Sequence, residues 1–289
     1  MIEVDGKIPM RWWDNTDNFG DLLGPWLVTK MTGKPVFWEA RENPHYMTIG
    51  SILGRVRSTA VVWGTGSFGS EPAKRLSKEA PYLAVRGPLT RSKLEMHGIE
   101  CPRVYGDPAL LAPDYYKSPA QKKHKLGVVL RWSEEKRKKS LVDKGVHVID
   151  LQTKDIEGVL DGIQSCERIL TSSLHGLVLS DAYGIPNAWL SATTGAGKEF
   201  KYWDYLISVK KVRDPVGVRL SERHVDEDYL LNTLNFDDRA IQIDLDLLRS
   251  TCPFLHSDKS TAAAEERVSI ASAEAKKRKR EKKLRLASV

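Results

Sequence analysis

Cysteine is scarce in this sequence, and long apolar runs are missing. The three cysteines, Cys101, Cys166 and Cys252, lie far apart and form no CxxC pair, which excludes a disulfide framework and favours a reducing compartment. No apolar run approaches the roughly 20 residues that a membrane-spanning helix needs. Residues 1–15 also lack the basic-then-apolar order of a signal peptide. We therefore expect a cytoplasmic protein that meets a membrane only at its surface.

Excess positive charge is scarce outside the C-terminal segment. The net charge of the chain is +7, and +5 of it lies in residues 261–289, which contain nine Lys or Arg and four Glu. The first 260 residues are close to neutral and show no basic stripe, which argues against nucleic acid as a partner. Residues 276–285 carry eight positive charges in ten positions. Such a cluster is either a solvated helix end that frays or a segment attracted to anionic lipid head groups.

Strand-like and helix-like segments alternate in both halves of the chain. Apolar runs such as "STAVVWG" and "KLGVVLRW" are followed by turn residues and then by helical stretches. The polar segment 112–125, punctuated by proline, separates the halves. The alternation predicts an α/β protein with two parallel domains that face each other. In such domains ligands bind at the carboxyl ends of the strands, and hence between the halves.

The segment "NTDNFGDLLGP", residues 15–25, predicts the start of a helix after the first strand. Asn18 or Asp17 can cap a helix that begins near Asp21, and Gly20 allows another backbone to come close. Free N–H groups at such a helix start suit an anionic or hydroxylated ligand. The same residues also describe a well-capped helix with no ligand.

The segment "WGTGSFG", residues 63–69, predicts a buried strand that ends in a glycine-containing turn. It lacks the complete G-x-G-x-x-G pattern and the acidic partner that a dinucleotide site requires. A ligand at this turn would meet backbone amides, and otherwise the glycines serve the turn itself.

Three charged or titratable side chains are predicted at strand ends. Arg86, in "VRGPLTR", can fork onto a carboxylate or phosphate, or it can form a structural ion pair with Asp107. Arg131 ends the strand "LGVVL", and His175 ends "RILTSSL" in the same half. A histidine there is either a proton carrier or a structural residue.

Five motifs occur in an order that is typical of one protein family. They are "NFGDLLGPWL", "WGTGSF", "VRGPLTR", "GDPALL" and "SSLHGLVLSDAYGIP", followed by the aromatic-rich "KEFKYWDYLISV". Over residues 10–210 the chain resembles the polysaccharide pyruvyltransferase family.

The resemblance implies a GT-B-like fold, in which two Rossmann-like domains face each other across a cleft. It assigns the acceptor side to residues 1–115 and the donor side to residues 116–260. The composition adds a basic helical tail at residues 261–289. The implied reaction places the pyruvyl group of phosphoenolpyruvate, as a ketal, onto two hydroxyls of a hexose in an exopolysaccharide or cell-surface glycan. Phosphoenolpyruvate is then a co-substrate, and no cofactor or metal is implied.

The resemblance also implies roles for individual residues. His175 would be the general acid that protonates C3 of the enolpyruvyl group, and Arg131 would bind the donor. Asp21 would take a proton from the attacking hydroxyl, or it is a first-turn acid stabilised by the helix dipole. The acceptor side would be lined by Asn18, Gly20, Gly64, Thr65 and Gly66.

The chain departs from the family pattern next to the histidine. Many members have an arginine two residues before it, where this chain has Ser173. The hydroxyls of Ser172 and Ser173, with the helix N-terminus near Gly176, would bind the donor instead, or Arg86 or Lys198 would reach in.

Two other functions fit the same motifs. One is a GT-B glycosyltransferase with a nucleotide-sugar donor, although no clear acid for the ribose follows the second-half motif. The other is a non-catalytic sugar-binding relative, for which Ser173 is the best argument. In the leading hypothesis the acceptor is a lipid-linked oligosaccharide at the inner face of the membrane, and residues 276–289 bind anionic lipid there.

Overall fold

The computed structural model describes residues 1–119, 121–191, 199–255 and 259–287. In these ranges the strands form two separate sheets, in which neighbouring strands are parallel. The strands are β1 (Ile8–Met10), β2 (Val36–Trp38), β3 (His45–Met47), β4 (Ala60–Trp63), β5 (Tyr82–Ala84), β6 (His124–Val129), β7 (Val148–Ile149), β8 (Cys166–Thr171) and β9 (Asn187–Trp189).

Helices connect most of the strands, and several more follow the last strand. Three short 3-10 helices occupy Leu53–Arg55, Ala73–Arg75 and Pro108–Leu111. The α-helices are α1 (Phe19–Thr32), α2 (Pro88–Glu95), α3 (Ala112–Tyr115), α4 (Glu135–Val142), α5 (Ile156–Gln164), α6 (Leu174–Ala182), α7 (Phe200–Ser208), α8 (Glu227–Thr233), α9 (Leu245–Ser250) and α10 (Lys259–Ala287).

The predicted α/β class with parallel sheets is confirmed. The first sheet has the strand order β2-β1-β3-β4-β5, and the second has the order β7-β6-β8-β9. Both orders reverse direction beside the first strand of the sheet, between β1 and β3 and between β6 and β8. Open parallel sheets bind ligands outside the carboxyl ends of the strands at this reversal. The strand orders therefore mark the ends of β1, β3, β6 and β8 as the place to search for a site.

Local sequence signals set the ends of two helices, namely a glycine after one helical stretch and an aspartate before another. α1 ends at Gly33, whose left-handed φ of +66° lets its N–H donate to the carbonyl of Thr29. α5 is capped by Asp155, which accepts a hydrogen bond from the N–H of Gly158 at 2.9 Å. The start of α1 differs from the prediction, because the helix begins at Phe19, before Asp21.

The two halves of the chain share one apolar core. Phe19 and Leu23 of α1 belong to the same buried cluster as Leu160 of α5 and Leu177 of α6. The N–H of Phe19 also donates to the carbonyl of Leu151 in the second half, at 2.9 Å. Burial of apolar surface on both sides therefore fixes the start of α1 against the second sheet.

The chain returns to the first sheet after the second one is complete. Leu248 of α9 and Phe254 pack in one buried cluster with Trp63 of β4, although they follow the second sheet in sequence. The indole N–H of Trp63 donates to the carbonyl of Leu248 at 3.2 Å. The predicted division into residues 1–115 and 116–260 stays a prediction, and the packing adds residues 248–254 to the first half.

The predicted basic tail is a helix that packs on the first half along its initial turns. Thr261, Ala264, Val268 and Ser272 are buried, and their spacing of three or four residues puts them on one face of α10. The two alternatives for residues 276–285, a solvated helix end and a lipid-binding segment, stay predictions. Residues 273–283 are exposed. Within the described ranges, every helix is too short or too polar to cross a bilayer.

Two apolar residues of α10 test whether this helix belongs to the folded body. Val268 is fully buried, whereas Ile270 is 53% exposed. We expect Val268→Asp to lower the free energy of unfolding by about 3 kcal/mol, because it buries an unpaired carboxylate. Ile270→Asp is the matched control and should change it by less than about 0.5 kcal/mol. Urea titrations followed by circular dichroism measure both variants, and equal effects would contradict the packing.

Candidate active site at the strand ends

His175 lies in the first turn of α6, and the strand predicted over "RILTSSL" ends earlier, at Thr171. β8 ends at Thr171, Ser173 is the extended N-cap residue, and α6 begins at Leu174. The apolar run "RILTSSL" hides this boundary, because its last leucine belongs to the helix. His175 is therefore the second residue of α6, where the helix carries partial positive charge.

The N-termini of α1 and α6 meet at His175. A Cβ on Gly20 would lie 2.1 Å from Nδ1 of His175, so that only glycine allows the two helices to come this close. Both first turns carry partial positive charge, which favours an anionic ligand at the point where they meet. The predicted close approach at Gly20 thus exists, and the partner is the histidine of the other half.

Burial governs the protonation of His175. Its pKa is lowered to about 3, first by burial and then by the positive charges of Lys201 and Arg86. The ring is therefore neutral at neutral pH and can accept a proton. A bound anion would favour the charged ring, since it would offset these two cations.

Asn18 holds the carboxylate of Asp21. The Asn18 amide donates to Oδ2 of Asp21 at 2.6 Å, and it makes no capping bond to the backbone of α1. The predicted capping by the Asn18 side chain is therefore wrong. Burial raises the pKa of Asp21 to about 6, against the opposing effects of the Asn18 hydrogen bond and of the charges of Lys201 and Arg55. A carboxylate with this pKa can exchange a proton near neutral pH, so both predicted roles of Asp21 stay open.

Lys201 is a cation of the site that the sequence analysis missed. It is the second residue of α7, and its Nζ lies 4.9 Å from the centre of the Tyr202 ring. Its charge acts on both His175 and Asp21. The aromatic-rich segment "KEFKYWDYLISV" contains it and was the available signal. Lys198, the lysine named instead, lies outside the described residues.

Arg86 forms a buried ion pair with Asp204 of α7, and the predicted pairing with Asp107 is wrong. Its Nε donates to Oδ2 of Asp204 at 3.0 Å. Its Nη1 donates to the Ser51 hydroxyl at 2.7 Å, and its Nη2 donates to the carbonyl of Ser67 at 2.8 Å. Arg86 is fully buried, and these contacts satisfy its charge inside the protein. A direct contact of Arg86 with a donor stays a prediction.

Asp204 also caps α2, which no sequence signal indicated. The N-cap residue of α2 is Gly87, which has no side chain to cap the helix. Asp204 replaces the missing cap, because its Oδ1 accepts from the N–H of Thr90 at 2.8 Å and its Oδ2 accepts from the Thr90 hydroxyl at 2.6 Å. A Cβ on Gly87 would lie 2.0 Å from the Asp204 carbonyl oxygen. One carboxylate of α7 thus binds both Arg86 and α2.

Arg131 and Ser172 meet at the reversal point of the second sheet. The backbone N–H of Arg131 donates to the Ser172 hydroxyl at 3.2 Å. The guanidinium Nε lies 3.8 Å from a carboxylate oxygen of Glu134, a buried residue that the sequence analysis did not single out. The Ser172 hydroxyl donates to the same carboxylate. Ser172 is thus engaged inside the protein, and donor binding by its hydroxyl stays a prediction.

Ser173 and Gly176 shape the start of α6. The N–H of Ser173 donates to the Thr171 hydroxyl at 2.9 Å, and the Ser173 side chain makes no capping bond to α6. A Cβ on Gly176 would lie 2.2 Å from the same hydroxyl of Thr171. Glycine at position 176 is therefore required for α6 to turn back onto β8.

The glycine-containing turn after β4 is buried. A Cβ on Gly64 would lie 2.3 Å from the Pro108 ring, and a Cβ on Gly66 would lie 2.1 Å from Cζ of Arg86. The Thr65 hydroxyl donates to the carbonyl of Thr48 at 2.5 Å. These contacts explain the residue types by packing, and acceptor binding at this turn stays a prediction.

The fold and the site define an α/β protein with a cationic site around a histidine at the strand ends. Residues 15–193 match the family model described as polysaccharide pyruvyl transferase. The chain therefore belongs to this family, which confirms the resemblance of its motifs.

Two relatives are similar to most of the chain. The uncharacterized protein L143 of Acanthamoeba polyphaga mimivirus is 26% identical over 201 residues, which cover 65% of this chain and 70% of the relative. The succinoglycan biosynthesis protein ExoV of Rhizobium meliloti (strain 1021) is 28% identical over 225 residues, which cover 74% of this chain and 69% of the relative. No solved structure matches the chain.

The raised pKa of Asp21 predicts that stability depends on pH at this residue. A raised pKa means that the folded protein favours the protonated carboxyl. The contribution of Asp21 to the free energy of unfolding is therefore complete below about pH 4 and is lost as the pH rises through about 6. We expect Asp21→Asn to raise the free energy of unfolding at pH 8 by about 2 kcal/mol and to leave it unchanged at pH 4. Urea titrations at the two pH values measure the effect. A loss of stability at pH 8 would contradict the buried carboxylate.

Proposed function

We propose that this protein is a ketal pyruvyltransferase that uses phosphoenolpyruvate to modify a hexose in an exopolysaccharide or cell-surface glycan. The observation that supports this best is the meeting of two helix N-termini at His175, beside Lys201. Membership of the polysaccharide pyruvyl transferase family supports the same reaction class.

The charges around His175 suit this donor. Phosphoenolpyruvate carries a phosphate and a carboxylate, which guanidinium and ammonium groups bind well. Burial raises the pKa of Tyr202, and the positive charge of Arg131 partly opposes this, so Arg131 lies near enough to act on the ring. Nζ of Lys201 lies 4.9 Å from the centre of the same ring. In our proposal these two cations bind the donor, Lys201 replaces the arginine missing at Ser173, and the start of α6 contributes N–H groups.

The residues present can carry each proton of the reaction. Charged His175 gives a proton to C3 of the donor, and a sugar hydroxyl adds to C2 while its proton passes to Asp21. The C2–O bond to phosphate then breaks, the phosphate leaves with the electron pair, and it takes the proton from Asp21. The second hydroxyl adds to C2, and its proton returns to His175. The products are the ketal and hydrogen phosphate.

The proposed arrangement is GT-B-like, with the donor on the second half and the acceptor on the first. The acceptor would lie at the ends of β1, β3 and β4, where the side chains of Asn18 and Asp21 hold each other. The backbone at Gly20 and at the Gly64–Gly66 turn would complete the acceptor side.

Incubation with phosphoenolpyruvate and a panel of hexosides tests this function. We expect phosphate release and a mass gain of the acceptor equal to pyruvate less water. His175→Gln should lower kcat by about 10²- to 10⁴-fold, because it removes the proton carrier. His224→Gln is the matched control, since the His224 side chain is 60% exposed. Turnover of nucleotide sugars without phosphoenolpyruvate would instead establish a glycosyltransferase, and binding of hexosides without turnover of either donor would indicate a sugar-binding protein.

We further propose that the exposed end of α10 holds the protein at the inner, anionic face of a membrane. Its cations follow one another from Lys276 to Lys283, interrupted by one glutamate, so they surround the helix. Such a helix binds by charge, because it has no apolar face to insert.

Sedimentation with lipid vesicles tests this attachment. At low salt the full chain should bind vesicles that contain phosphatidylglycerol, and it should not bind vesicles of phosphatidylcholine alone. A chain that ends at Ala275 should lose the binding and keep its thermal unfolding temperature, because residues 276–283 are exposed. Binding that is equal for both lipids, or that survives the truncation, would contradict the proposal.

A further inference from the structure

Two buried polar atoms face each other beside the site, and each has no hydrogen-bond partner among the described residues. They are Nε2 of His175 and Oδ2 of Asp107, and they lie 4.0 Å apart. Buried polar groups are nearly always paired, because an unpaired one loses its hydration without compensation. A shortening of about 1 Å would turn this approach into a hydrogen bond.

Asp107 is held so that only one of its oxygens can serve the histidine. It is fully buried and is the N-cap residue of the 3-10 helix Pro108–Leu111. Its Oδ1 accepts from the N–H of Ala109 at 3.1 Å, which leaves Oδ2 directed toward the ring. The same 3-10 helix packs against α6, which carries the histidine.

The other nitrogen of the ring faces the start of α1. Nδ1 is the atom that a Cβ on Gly20 would strike. The His175 side chain is 13% exposed, and because Nε2 is buried this exposure belongs to the rest of the ring. Nδ1 therefore lies toward the two helix N-termini, and Nε2 lies toward the interior.

We propose that Asp107 is a positioning residue, which accepts a hydrogen bond from Nε2–H of His175 and leaves Nδ1 as the nitrogen that exchanges protons with the substrate. The role of Nδ1 rests on the proposed function, whereas the contact with Asp107 does not. The carboxylate selects one of the two neutral forms of the ring, and it stabilises the charged ring once Nδ1 has taken up a proton. The arginine–aspartate pair of Arg86 and Asp204 lies beside it, and the charges of both act on Asp107.

Asp107→Asn is the sharpest test, because the hydrogen bond from the N–H of Ala109 fixes the orientation of the new side-chain amide. The N–H of Ala109 keeps the amide oxygen at the position of Oδ1, and so the amide NH₂ takes the position of Oδ2. That group donates, and Nε2 must then accept and lose its hydrogen. The variant should therefore hold the ring in the Nδ1–H form, opposite to the original protein.

Nitrogen NMR of the protein labelled with ¹⁵N-histidine shows at pH 8 which ring nitrogen of His175 carries the hydrogen. His175 is assigned as the signal that His175→Gln removes, and circular dichroism verifies that each variant is folded. We expect Nε2–H in the original protein and in the control Asp161→Asn, whose carboxylate binds only the Tyr116 hydroxyl among the described residues. We expect Nδ1–H in Asp107→Asn. Nδ1–H in the original protein, or an unchanged ring in Asp107→Asn, would overturn the proposal.

Asp107→Ser is the second variant if the amide prevents folding. Serine also caps helices, but its shorter side chain withdraws the acceptor from Nε2. We expect a mixture of the two ring forms, and a pure Nε2–H form would overturn the proposal.

Turnover measurements distinguish the role of Asp107 from the proposed pyruvyltransferase activity. If phosphoenolpyruvate is turned over, Asp107→Asn should lower kcat by at least about 100-fold and change KM for phosphoenolpyruvate by less than about threefold, as expected for a misplaced proton. A protein without such turnover, in which Asp107→Asn still switches the ring form, would refute the proposed function and leave the contact intact. Full kcat in Asp107→Asn would overturn the role of Asp107.

Discussion

The site depends on one close contact, the backbone of Gly20 against the imidazole of His175. It brings the first turn of α1, from the first half of the chain, onto the first turn of α6, from the second half. The shared apolar core around Phe19 and Leu177 fixes the position of the two helices. Because two positive helix ends then point at one place, the fold itself supplies a setting for an anion before any charged side chain is counted.

The charged residues around this contact differ in function, since some position helices and others act on the histidine. The ion pair of Arg86 and Asp204 joins the first half to α7, and α7 carries Lys201 to the histidine. A buried pair of this kind contributes little net stability, since desolvation offsets its attraction, but loss of one partner is costly. We infer that its main effect is to fix where α7 lies, and with it the position of Lys201.

Sequence patterns indicate those structural features that depend on residues close together in the chain, such as helix ends. Gly33 ends α1 and Asp155 caps α5 because each acts on its own helix within a few residues. The partners of the site depend on residues brought together from far apart. Arg86 and Asp204 are separated by 118 positions, and the sequence analysis named only the nearer Asp107 as an acidic partner. The family resemblance identified His175 but could not indicate which of its nitrogens faces the substrate.

A structure of the complex with phosphoenolpyruvate would show whether the donor binds where α1 and α6 meet. We expect its phosphate and carboxylate to contact Arg131, Lys201 and the start of α6, with C3 within about 3.5 Å of Nδ1 of His175. Phosphoenolpyruvate bound away from His175, or with C3 turned toward the interior side of the ring at Asp107, would contradict it.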